Sequence, residues 1–567
     1  MTRVPWNRAK LRLYAALTLI LLSGAALRFV GLNWDQGQGY HADEVEIANA
    51  VARLASPGQS DPQFYVYNGL PLYLYANIGR AISWWSGDPA WRNSPEKITR
   101  IGRAVSATVS TISLFLIYLL GAELASLGCG LLAAGLATFS VGLIQQAHFA
   151  VTESLLVFFL LLIAIETVWA AKRRGPWTGL LIGLTAGLAI GTKTTAVSFM
   201  VIPATAWLYQ HRGRPSLGSL AKAALSLGVA ALTFAAVSPY SILRRELFWR
   251  QMRFEHDIVR GTRLIWFNVP FLGTNSYVAA IENLVWAAGP IVAPLGAVGI
   301  ACWTIVAVRR RDPSVMALLV FTIAYFLYVG SWFTQFSRYM VLLVPSLALG
   351  AAWMIVSLSA SRMRAALALG VFALASSAMW AISFSTIYTH LHTRLAASDW
   401  IYANARPGSL LLLEMLDPRL PAPRPGGRPE QNAYRVNPCI QLDDPEKISN
   451  LLTAVAEADY LVLSSRRCSD AVLKLPNRYP VSAAYYRNLF SGDLGYVLAA
   501  RFRSDPSVGH LHISDDAGES TRSVFDHPVV SIFRNTHSKS LDELRNLLLE
   551  DVRLAGPRET HEPNSSR

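Results

Sequence analysis

Long apolar stretches separated by short polar segments dominate the first two thirds of the chain. A membrane-spanning α-helix needs about 17–25 residues, and fewer where its ends are buried in protein. Eight runs predict such helices: Leu13–Leu32, Val105–Leu124, Leu155–Ala171, Ala221–Val237, Ala287–Val308, Val315–Val329, Met340–Ser357 and Ala365–Phe384. Shorter or glycine-interrupted runs lie at Cys129–Leu143, Gly179–Ile190 and Val197–Leu208. The pattern predicts a polytopic α-helical membrane protein with about eleven transmembrane helices.

The pattern changes near His390, after which no long apolar run follows. Leu410–Met415, Tyr460–Ser464 and Val529–Phe533 resemble short strands, and Pro445–Ala458 has the spacing of an amphipathic helix. A loop is predicted by Pro421, Pro423, Pro425, Gly426 and Gly427. We therefore expect a transmembrane module over 1–389, a soluble α/β domain over 390–535 and a polar, loosely held tail over 536–567.

Basic clusters at alternate helix ends predict the orientation, because positive charge collects on the cytoplasmic side. The clusters are Arg3, Arg8, Lys10 and Arg12; Lys172, Arg173 and Arg174; Arg212 and Arg214; Arg309, Arg310 and Arg311; and Arg362 and Arg364. The loops 33–97 and 238–286 and the whole α/β domain then face outward. The expected location is a bacterial inner or plasma membrane, with the site and the α/β domain extracytoplasmic.

The second outer loop does not fit this rule well, because it carries six arginines. They are Arg244, Arg245, Arg250, Arg253, Arg260 and Arg263. The positive-inside rule weakens in longer loops. Two interpretations stay open: a solvated amphipathic helix, or a surface that contacts anionic lipid or substrate.

Composition supports a membrane protein and limits its partners. Hydrophobic residues make up 52% of the chain and charged residues only 16%, against about 25% charged in soluble domains. The net charge of +14 comes largely from the cytoplasmic clusters, so it does not indicate nucleic acid. Of the four cysteines, Cys439 and Cys468 fall in the outer domain, where oxidation is possible, and we predict that these two pair.

The stretch His41, Ala42, Asp43 and Glu44 follows the first apolar segment and places two acids beside the membrane. Charged groups near a bilayer are costly, so an acidic pair there is a candidate site. A hydrophilic loop that happens to carry two acids is the alternative.

Other ionisable residues fall at the same predicted membrane face. They are Arg103, His148, Glu153, Lys193 and Arg338. Each has a structural explanation of its own: Glu153 could cap a helix, and Lys193 and Arg338 could snorkel to the interface. Together, an acidic pair opposite several cations predicts an anion-binding catalytic cleft.

That cleft suits one kind of chemistry. A carboxylate can remove a proton from a hydroxyl, and Lys or Arg can stabilise a departing phosphate. No ATP is supplied at the outer face, so the activated group must arrive on a lipid. A polyprenyl-phosphate sugar meets this requirement, and the predicted reaction is glycosyl transfer.

Several stretches resemble the glycosyltransferases of the GT-C fold, specifically family 39, which includes protein O-mannosyltransferases and aminoarabinose transferases. The matching stretches are LRFVGLNWDQGQGYHADE, RIGRAVSATVS, QQAHFAVTESLLVFFLLL, GLTAGLAIGTKTTAVSFMVIP and FSRYMVLLVPSLAL, with ASDWIYANARPGSLLLLE and SVFDHPVVSIF in the outer domain. The sequence departs from the family pattern at Ala42, where proline is usual, and at Glu153, where aspartate is usual.

The resemblance implies an inverting transfer in which Asp43 is the base and Glu44 supports it. It places the donor among His41, Arg103, His148, Glu153, Lys193, Arg338 and Tyr339, with Lys193, Arg103 and Arg338 on the phosphate. Some GT-C enzymes use a divalent metal and others in the family do not, so the metal stays open. The acceptor is a protein, lipid A or another envelope glycan.

Two other classes of protein would share some of these features. A transporter or flippase of lipid-linked glycans would also bury charges, but it usually has internal repeats and a charged path at the membrane midplane. A non-catalytic membrane scaffold would need neither the acids nor Lys193.

Overall fold

The computed structural model describes residues 8–173, 177–210, 217–425 and 427–554. Arg3, Arg174, Arg212 and Arg214 of the basic clusters, Gly426 of the predicted loop and the end of the predicted tail, 555–567, lie outside this described part. The chain divides into two compact units. The first unit comprises 1–260, 275–389 and 506–513, and the second comprises 261–274, 390–505 and 514–567.

The first unit is almost entirely helical. Its helices are α1 (Arg8–Phe29), α2 (Ala42–Arg53), α3 (Gly69–Ser86), α4 (Ala90–Asn93), α5 (Pro95–Leu124), α6 (Leu127–Thr138), α7 (Val141–Ala147), α8 (Glu153–Arg173), α9 (Thr178–Thr192), α10 (Val201–Gln210), α11 (Leu217–Val237), α12 (Pro239–Leu243), α13 (Arg245–Arg260), α14 (Ser276–Ala288), α15 (Val292–Arg310), α16 (Pro313–Gly330), α17 (Val344–Ser359) and α18 (Met363–Ser385). The polytopic helical fold class is therefore confirmed.

Every predicted apolar run is helical, although not every run is one unbroken span. Within the described residues, eight helices are long and apolar enough to cross a membrane, or nine if the bent pair α6 and α7 is one span. The pair meets at an angle of 62°. The run Ala287–Val308 is interrupted between α14 and α15. The run Val197–Leu208 begins as a 3-10 helix and continues as the ten-residue α10.

Two 3-10 helices interrupt the apolar segments, Thr194–Met200 before α10 and Ser337–Leu343 before α17. Runs of this length are uncommon because 3-10 geometry is less favourable than α geometry, and such segments often mark a functional hinge. These two carry Lys193 at the start and Arg338 within, respectively.

Helices α15 and α17 pack at very short distance through glycine. A Cβ added to Gly299 would lie 2.1 Å from the Gly350 carbonyl oxygen, and one on Gly296 would lie 2.4 Å from that of Leu347. Small residues allow such close backbone approach between membrane helices.

The second unit contains a five-stranded mixed sheet in the order β2-β1-β3-β7-β4. Its elements are α19 (Thr393–Asn404), β1 (Leu410–Glu414), β2 (Ala433–Asn437), α20 (Pro445–Glu457), β3 (Tyr460–Leu463), α21 (Arg467–Lys474), α22 (Pro480–Ser491), β4 (Tyr496–Phe502), β7 (Val530–Asn535) and α23 (Leu541–Leu554). The short hairpin β5 (Ser507–Val508) and β6 (Leu511–His512) groups with the first unit. Strand β1 is parallel to β2 and β3, whereas β7 is antiparallel to β3 and β4.

One disulfide stabilises the second unit. Cys439 and Cys468 are bonded, with a Cα–Cα separation of 5.9 Å. This is below the limit of about 7 Å for a bridge, and the predicted pairing is confirmed. Both cysteines lie in the core formed by the sheet and its helices.

The predicted polar tail is wrong over part of its length. Residues Leu541–Leu554 form α23, and Leu544 and Leu548 are buried in the core of the second unit. Their spacing of four residues places both on one helix face, which explains the packing of an otherwise polar segment.

Candidate active site

Helix α2 brings the two acids of the His41–Glu44 stretch into different surroundings. His41 precedes the helix as an extended N-cap residue, and Asp43 and Glu44 lie in the first turn. Acids are favoured there because the helix N-terminus carries partial positive charge. Successive helical residues project about 100° apart, so the two side chains meet different partners.

Asp43 is the more accessible of the two acids, with 29% of its side chain exposed. It forms an ion pair with Arg338 and accepts a hydrogen bond of 3.0 Å from the Tyr67 hydroxyl. Burial alone would raise the pKa of Asp43, but Arg338, His41, Tyr67 and Lys193 together lower it to about 2. The carboxylate is therefore ionised throughout the neutral pH range.

Glu44 belongs instead to a closed, buried ion cluster. Arg103 from α5 contacts Glu44 at 2.6 Å and Asp35 at 2.9 Å, and it stacks on the Trp34 ring at 4.5 Å. The Ala150 amide also donates to Glu44 at 2.6 Å. The side chains of Arg103 and Asp35 are each 1% exposed. This cluster fixes α2 against α5 and the segment before α8.

The cluster contradicts the expectation that Arg103 holds a phosphate. Two carboxylates already neutralise its charge, and its guanidinium has no accessible face. Glu44 is likewise placed to hold α2 in position and not to touch a substrate.

The two predicted histidines are also buried away from the cavity described below. His148 stacks on Tyr388 with ring centroids 3.7 Å apart, and its Nε2 lies 2.9 Å from the Val30 carbonyl oxygen. His41 lies against Phe149 at 4.6 Å. Burial lowers the pKa of His41 despite the nearby carboxylates Asp43 and Glu44. Both rings have packing roles in this arrangement.

Lys193 and Glu153 form a second ion pair at 3.1 Å. Lys193 stands between α9 and the 3-10 helix Thr194–Met200 in extended conformation, and 18% of its side chain is exposed. Its ammonium group also lies 5.3 Å from the centre of the Tyr67 ring. Tyr67 therefore contacts both Asp43 and Lys193.

A cavity of about 490 Å³ joins these groups. Its polar part contains Tyr67, Glu153, Lys193, Glu255 and Arg338. Its remaining wall is mainly apolar and aromatic, including Phe321, Ala324, Tyr325, Val329, Trp332, Tyr339 and Leu342, and it also contains polar residues such as His256 and Arg260. Asp43 does not itself line the cavity, but it contacts two residues that do, Arg338 and Tyr67. We call this space the site cavity.

The described carboxylates do not form a metal site. Within the part of the chain that the structure describes, no three His, Cys, Asp or Glu side chains cluster closely enough to hold a metal ion. Asp43, Glu44 and Glu153 each face a cation of the protein instead. The donor set therefore does not fit a divalent cation.

The structure brings together Asp43, Glu153, Lys193, Arg338 and Tyr339 from the predicted set. It adds Tyr67, Glu255 and the aromatic wall to this site, and it adds Asp35 to the separate buried cluster around Arg103. The sequence does contain a sign that Asp35 is important, because it is an acidic residue just after the first helix. Glu255 is one of three acids on an arginine-rich helix, where acids resemble ordinary charge patterning.

Comparisons with known proteins support the same architecture. Residues 79–243 match the family model described as dolichyl-phosphate-mannose-protein mannosyltransferase. The archaeal oligosaccharyltransferase AglB from Archaeoglobus fulgidus, in complex with an inhibitory peptide and a dolichol-phosphate, has a TM-score of 0.55 at 11% identity, with 90% of this chain and 75% of that chain covered. The chain has the GT-C fold.

Further structures are similar to this GT-C protein. The Archaeoglobus fulgidus oligosaccharyltransferase complex with Zn and sulfate gives a TM-score of 0.54 at 13% identity, covering 83% of this chain and 71% of that chain. ArnT from Cupriavidus metallidurans in the apo state gives a TM-score of 0.47 at 13% identity, covering 83% of this chain and 95% of that chain. No curated protein matches the chain in sequence. The family match spans Glu153 and Lys193, whereas Asp43 and Arg338 lie outside it.

Proposed function

We propose that the protein is a membrane glycosyltransferase that moves a sugar from a polyprenyl-phosphate donor to a hydroxyl acceptor. The observation that carries this proposal is the position of Asp43, held beside Arg338 and Tyr67 at a cavity that also contains Lys193. The family match and the dolichol-phosphate in the AglB structure support a lipid-linked donor.

The site cavity suits both the phosphate and the isoprenoid chain of such a donor. Lys193 and Arg338 supply two partly exposed cations for the phosphate, and contacts between ionised groups are the stronger hydrogen bonds. The apolar wall from α16, with Phe321, Ala324 and Val329, suits an isoprenoid chain. Binding sites of this kind combine an apolar lining with a few converging polar groups.

The proposed reaction is a single displacement. Asp43 accepts the proton of the acceptor hydroxyl, and the oxygen of that hydroxyl forms a bond to the anomeric carbon. The bond between this carbon and the phosphate oxygen breaks, and its electron pair remains on the phosphate. Attack from the side opposite the phosphate inverts the anomeric configuration. Lys193 and Arg338 stabilise the charge that grows on the departing oxygen.

The low pKa of Asp43 in the free protein gives Arg338 a second role. A general base works best with a pKa near the working pH, and about 2 is far below it. A donor phosphate that takes the Arg338 guanidinium would weaken the ion pair that lowers this pKa. Asp43 then becomes a stronger base once the donor is bound.

We place the acceptor at the extracytoplasmic face, following the orientation predicted from the basic clusters. A hydroxyl of a protein, of lipid A or of another envelope glycan fits this chemistry. The same orientation places the second unit, from His390, outside the membrane of a bacterial cell.

The test is a donor-dependent transfer assay with purified protein in detergent. Asp43→Asn should lower turnover by about 10²–10⁴-fold, the usual contribution of general-base catalysis. Asp88→Asn is the matched control, because Asp88 pairs with Lys97 in an outer loop and does not line the site cavity. Wild-type turnover in Asp43→Asn would contradict the proposal. In reconstituted vesicles, movement of lipid-linked sugar across the bilayer without any transfer would favour a flippase instead.

A further inference from the structure

Helix α13 closes one side of the site cavity with a single face. Met252, Glu255, His256, Val259 and Arg260 all line the cavity. Their spacing of three or four residues places them on one helix face. The helix also carries Trp249 and Phe254 on its exposed side. The second outer loop therefore contributes directly to the site.

Glu255 differs from the other carboxylates of the cavity. Asp43 and Glu153 each have an ion-pair partner. Among the described residues, no hydrogen bond or ion pair involves Glu255, although it is partly buried. It lies close enough to Lys193, Arg338 and Asp43 to interact with their charges. Burial raises its pKa, and the attraction of Lys193 and Arg338 offsets this only in part.

A partly buried carboxylate that no protein group engages is available to a ligand that donates hydrogen bonds. The phosphate of the donor is unsuitable, because two anions repel. The apolar tail is also unsuitable, because it offers no hydrogen-bond donor. The group between the phosphate and the acceptor is the sugar, whose hydroxyls donate hydrogen bonds readily.

The wall of the same cavity contains a group of complementary hydrogen-bonding character. Trp332 lines the same cavity, and within the described structure its buried indole Nε1 has no hydrogen-bond partner. A hydroxyl can donate to one group and accept from another. Tyr325 and Tyr339 add aromatic rings to the same wall. The cavity thus offers an acceptor, a donor and ring faces in one place.

We propose that Glu255 recognises the transferred sugar by accepting hydrogen bonds from its ring substituents, and so helps to determine which donor the protein uses. This inference rests on the proposed function, because it assigns a part of the same donor site. Lys193 and Arg338 hold the phosphate, and Glu255 contacts the sugar.

The experiment compares two kinds of probe on full-length protein in detergent. One probe is undecaprenyl phosphate without a sugar. The other is whichever sugar-bearing undecaprenyl phosphate the wild-type protein binds most tightly, chosen from mannose, glucose, N-acetylglucosamine and 4-amino-4-deoxyarabinose derivatives. Glu255→Gln should weaken binding of the sugar-bearing probe by roughly 10- to 100-fold, the range expected for a lost hydrogen bond to a charged group.

Binding of undecaprenyl phosphate alone should remain within about twofold of wild type or become tighter, because a nearby negative charge is removed. Retained binding of this probe also shows that the variant is folded. Glu246→Gln is the matched control, since Glu246 lies on the same helix but is exposed and absent from the cavity wall. It should bind both probes as the wild type does.

An equal loss for both probes, or no loss for either, would overturn the assignment of Glu255. In that case normal transfer by the wild-type protein leaves the proposed function standing. A wild-type protein that binds no sugar-bearing probe more tightly than undecaprenyl phosphate, and transfers none, would overturn the proposed function and this inference with it.

Discussion

Lys193 is the residue whose charge we expect to matter most for the departing phosphate. It has only Glu153 as an ion-pair partner among the described residues and reaches the site cavity. Lys193→Met should reduce turnover by about 10²–10³-fold, the usual cost of removing one such stabilising group. Binding of the isoprenoid tail should change less, because the apolar wall is unaltered.

Single-turnover rates and donor affinity, measured on the same Lys193→Met preparation, check this prediction. Lys172→Met serves as the control, since Lys172 pairs with Glu123 outside the site cavity. A loss confined to donor affinity, with normal turnover at saturation, would show that Lys193 stabilises the bound donor and the transition state equally.

Arg338 should determine how transfer depends on pH. The acid limb of kcat/KM reports the pKa of the base in the free protein. Asp43 must be deprotonated to act, and its pKa of about 2 keeps it so as the pH falls well below neutral. Burial raises the pKa of Asp43, and the Arg338 charge opposes this effect. When that charge is removed, the pKa of Asp43 should rise. In Arg338→Gln the acid limb should therefore move to higher pH.

The pH profile of kcat/KM for wild type, Arg338→Gln and Lys193→Met provides the measurement. Lys193 contributes less than Arg338 to the low pKa of Asp43, so its replacement should shift the limb less. An acid limb at the same pH in all three proteins would show that Asp43 is not the titrating base.

At the level of single residues, the sequence predicts which charged residues lie near the site but not which of them form ion pairs with each other. Asp43, Lys193, Arg338 and Glu153 were predicted at one site, and the structure brings them around one cavity. Arg103 was predicted there too, yet Asp35 and Glu44 enclose it. Which of two adjacent acids faces a cavity depends on helix rotation, which a local sequence pattern does not specify.

At the level of elements, the glycine contact between α15 and α17 should be intolerant of added volume. Gly299→Ala places a methyl group 2.1 Å from the Gly350 carbonyl oxygen, so the helices must move apart. Overpacking of this kind costs roughly 1–3 kcal/mol. In α11, by contrast, a Cβ on Gly228 meets nothing within 4 Å. Gly228→Ala should stabilise its helix by up to about 1 kcal/mol.

Thermal unfolding of both variants in one detergent tests this pair. The expected result is a lower midpoint for Gly299→Ala and an unchanged or higher midpoint for Gly228→Ala. Equal midpoints would mean that α15 and α17 are not held at the distance described here.

At the level of the whole molecule, the disulfide links stability to cellular location. If the second unit is extracytoplasmic, Cys439 and Cys468 should resist alkylation in the denatured protein until a reductant is added; denaturation is needed because both are buried in the folded protein. Cys439→Ser should destabilise the second unit by about 2–4 kcal/mol. Cys302→Ser should have little effect, because Cys302 is exposed and unbonded.

Mass spectrometry of alkylated protein from unbroken cells measures the bond directly. Alkylation of both cysteines on denaturation without reductant would place the second unit in a reducing compartment. The orientation predicted from the basic clusters would then be reversed.

The fold class was predictable from sequence because apolar runs of spanning length have few alternative structures. The strands β1, β3 and β7 and helix α20 were also predicted close to their observed bounds. Strand β2 was missed because its residues are mostly exposed and its pattern is weak. The breaks inside apolar segments were missed as well, since hydrophobicity alone does not distinguish a 3-10 helix from an α-helix.

The two 3-10 helices allow the chain to change length. A 3-10 helix rises about 2.0 Å per residue and an α-helix about 1.5 Å. Each of the seven-residue segments Thr194–Met200 and Ser337–Leu343 would therefore shorten by about 3.5 Å on conversion to α geometry. This change in length is comparable to the length of an ion pair. Conversion between 3-10 and α geometry would therefore move Lys193 and Arg338 toward or away from a phosphate while the flanking helices stay packed. Distances between spin labels on either side of each segment, measured with and without undecaprenyl phosphate, would detect this displacement. Identical distances would show that both segments keep one conformation.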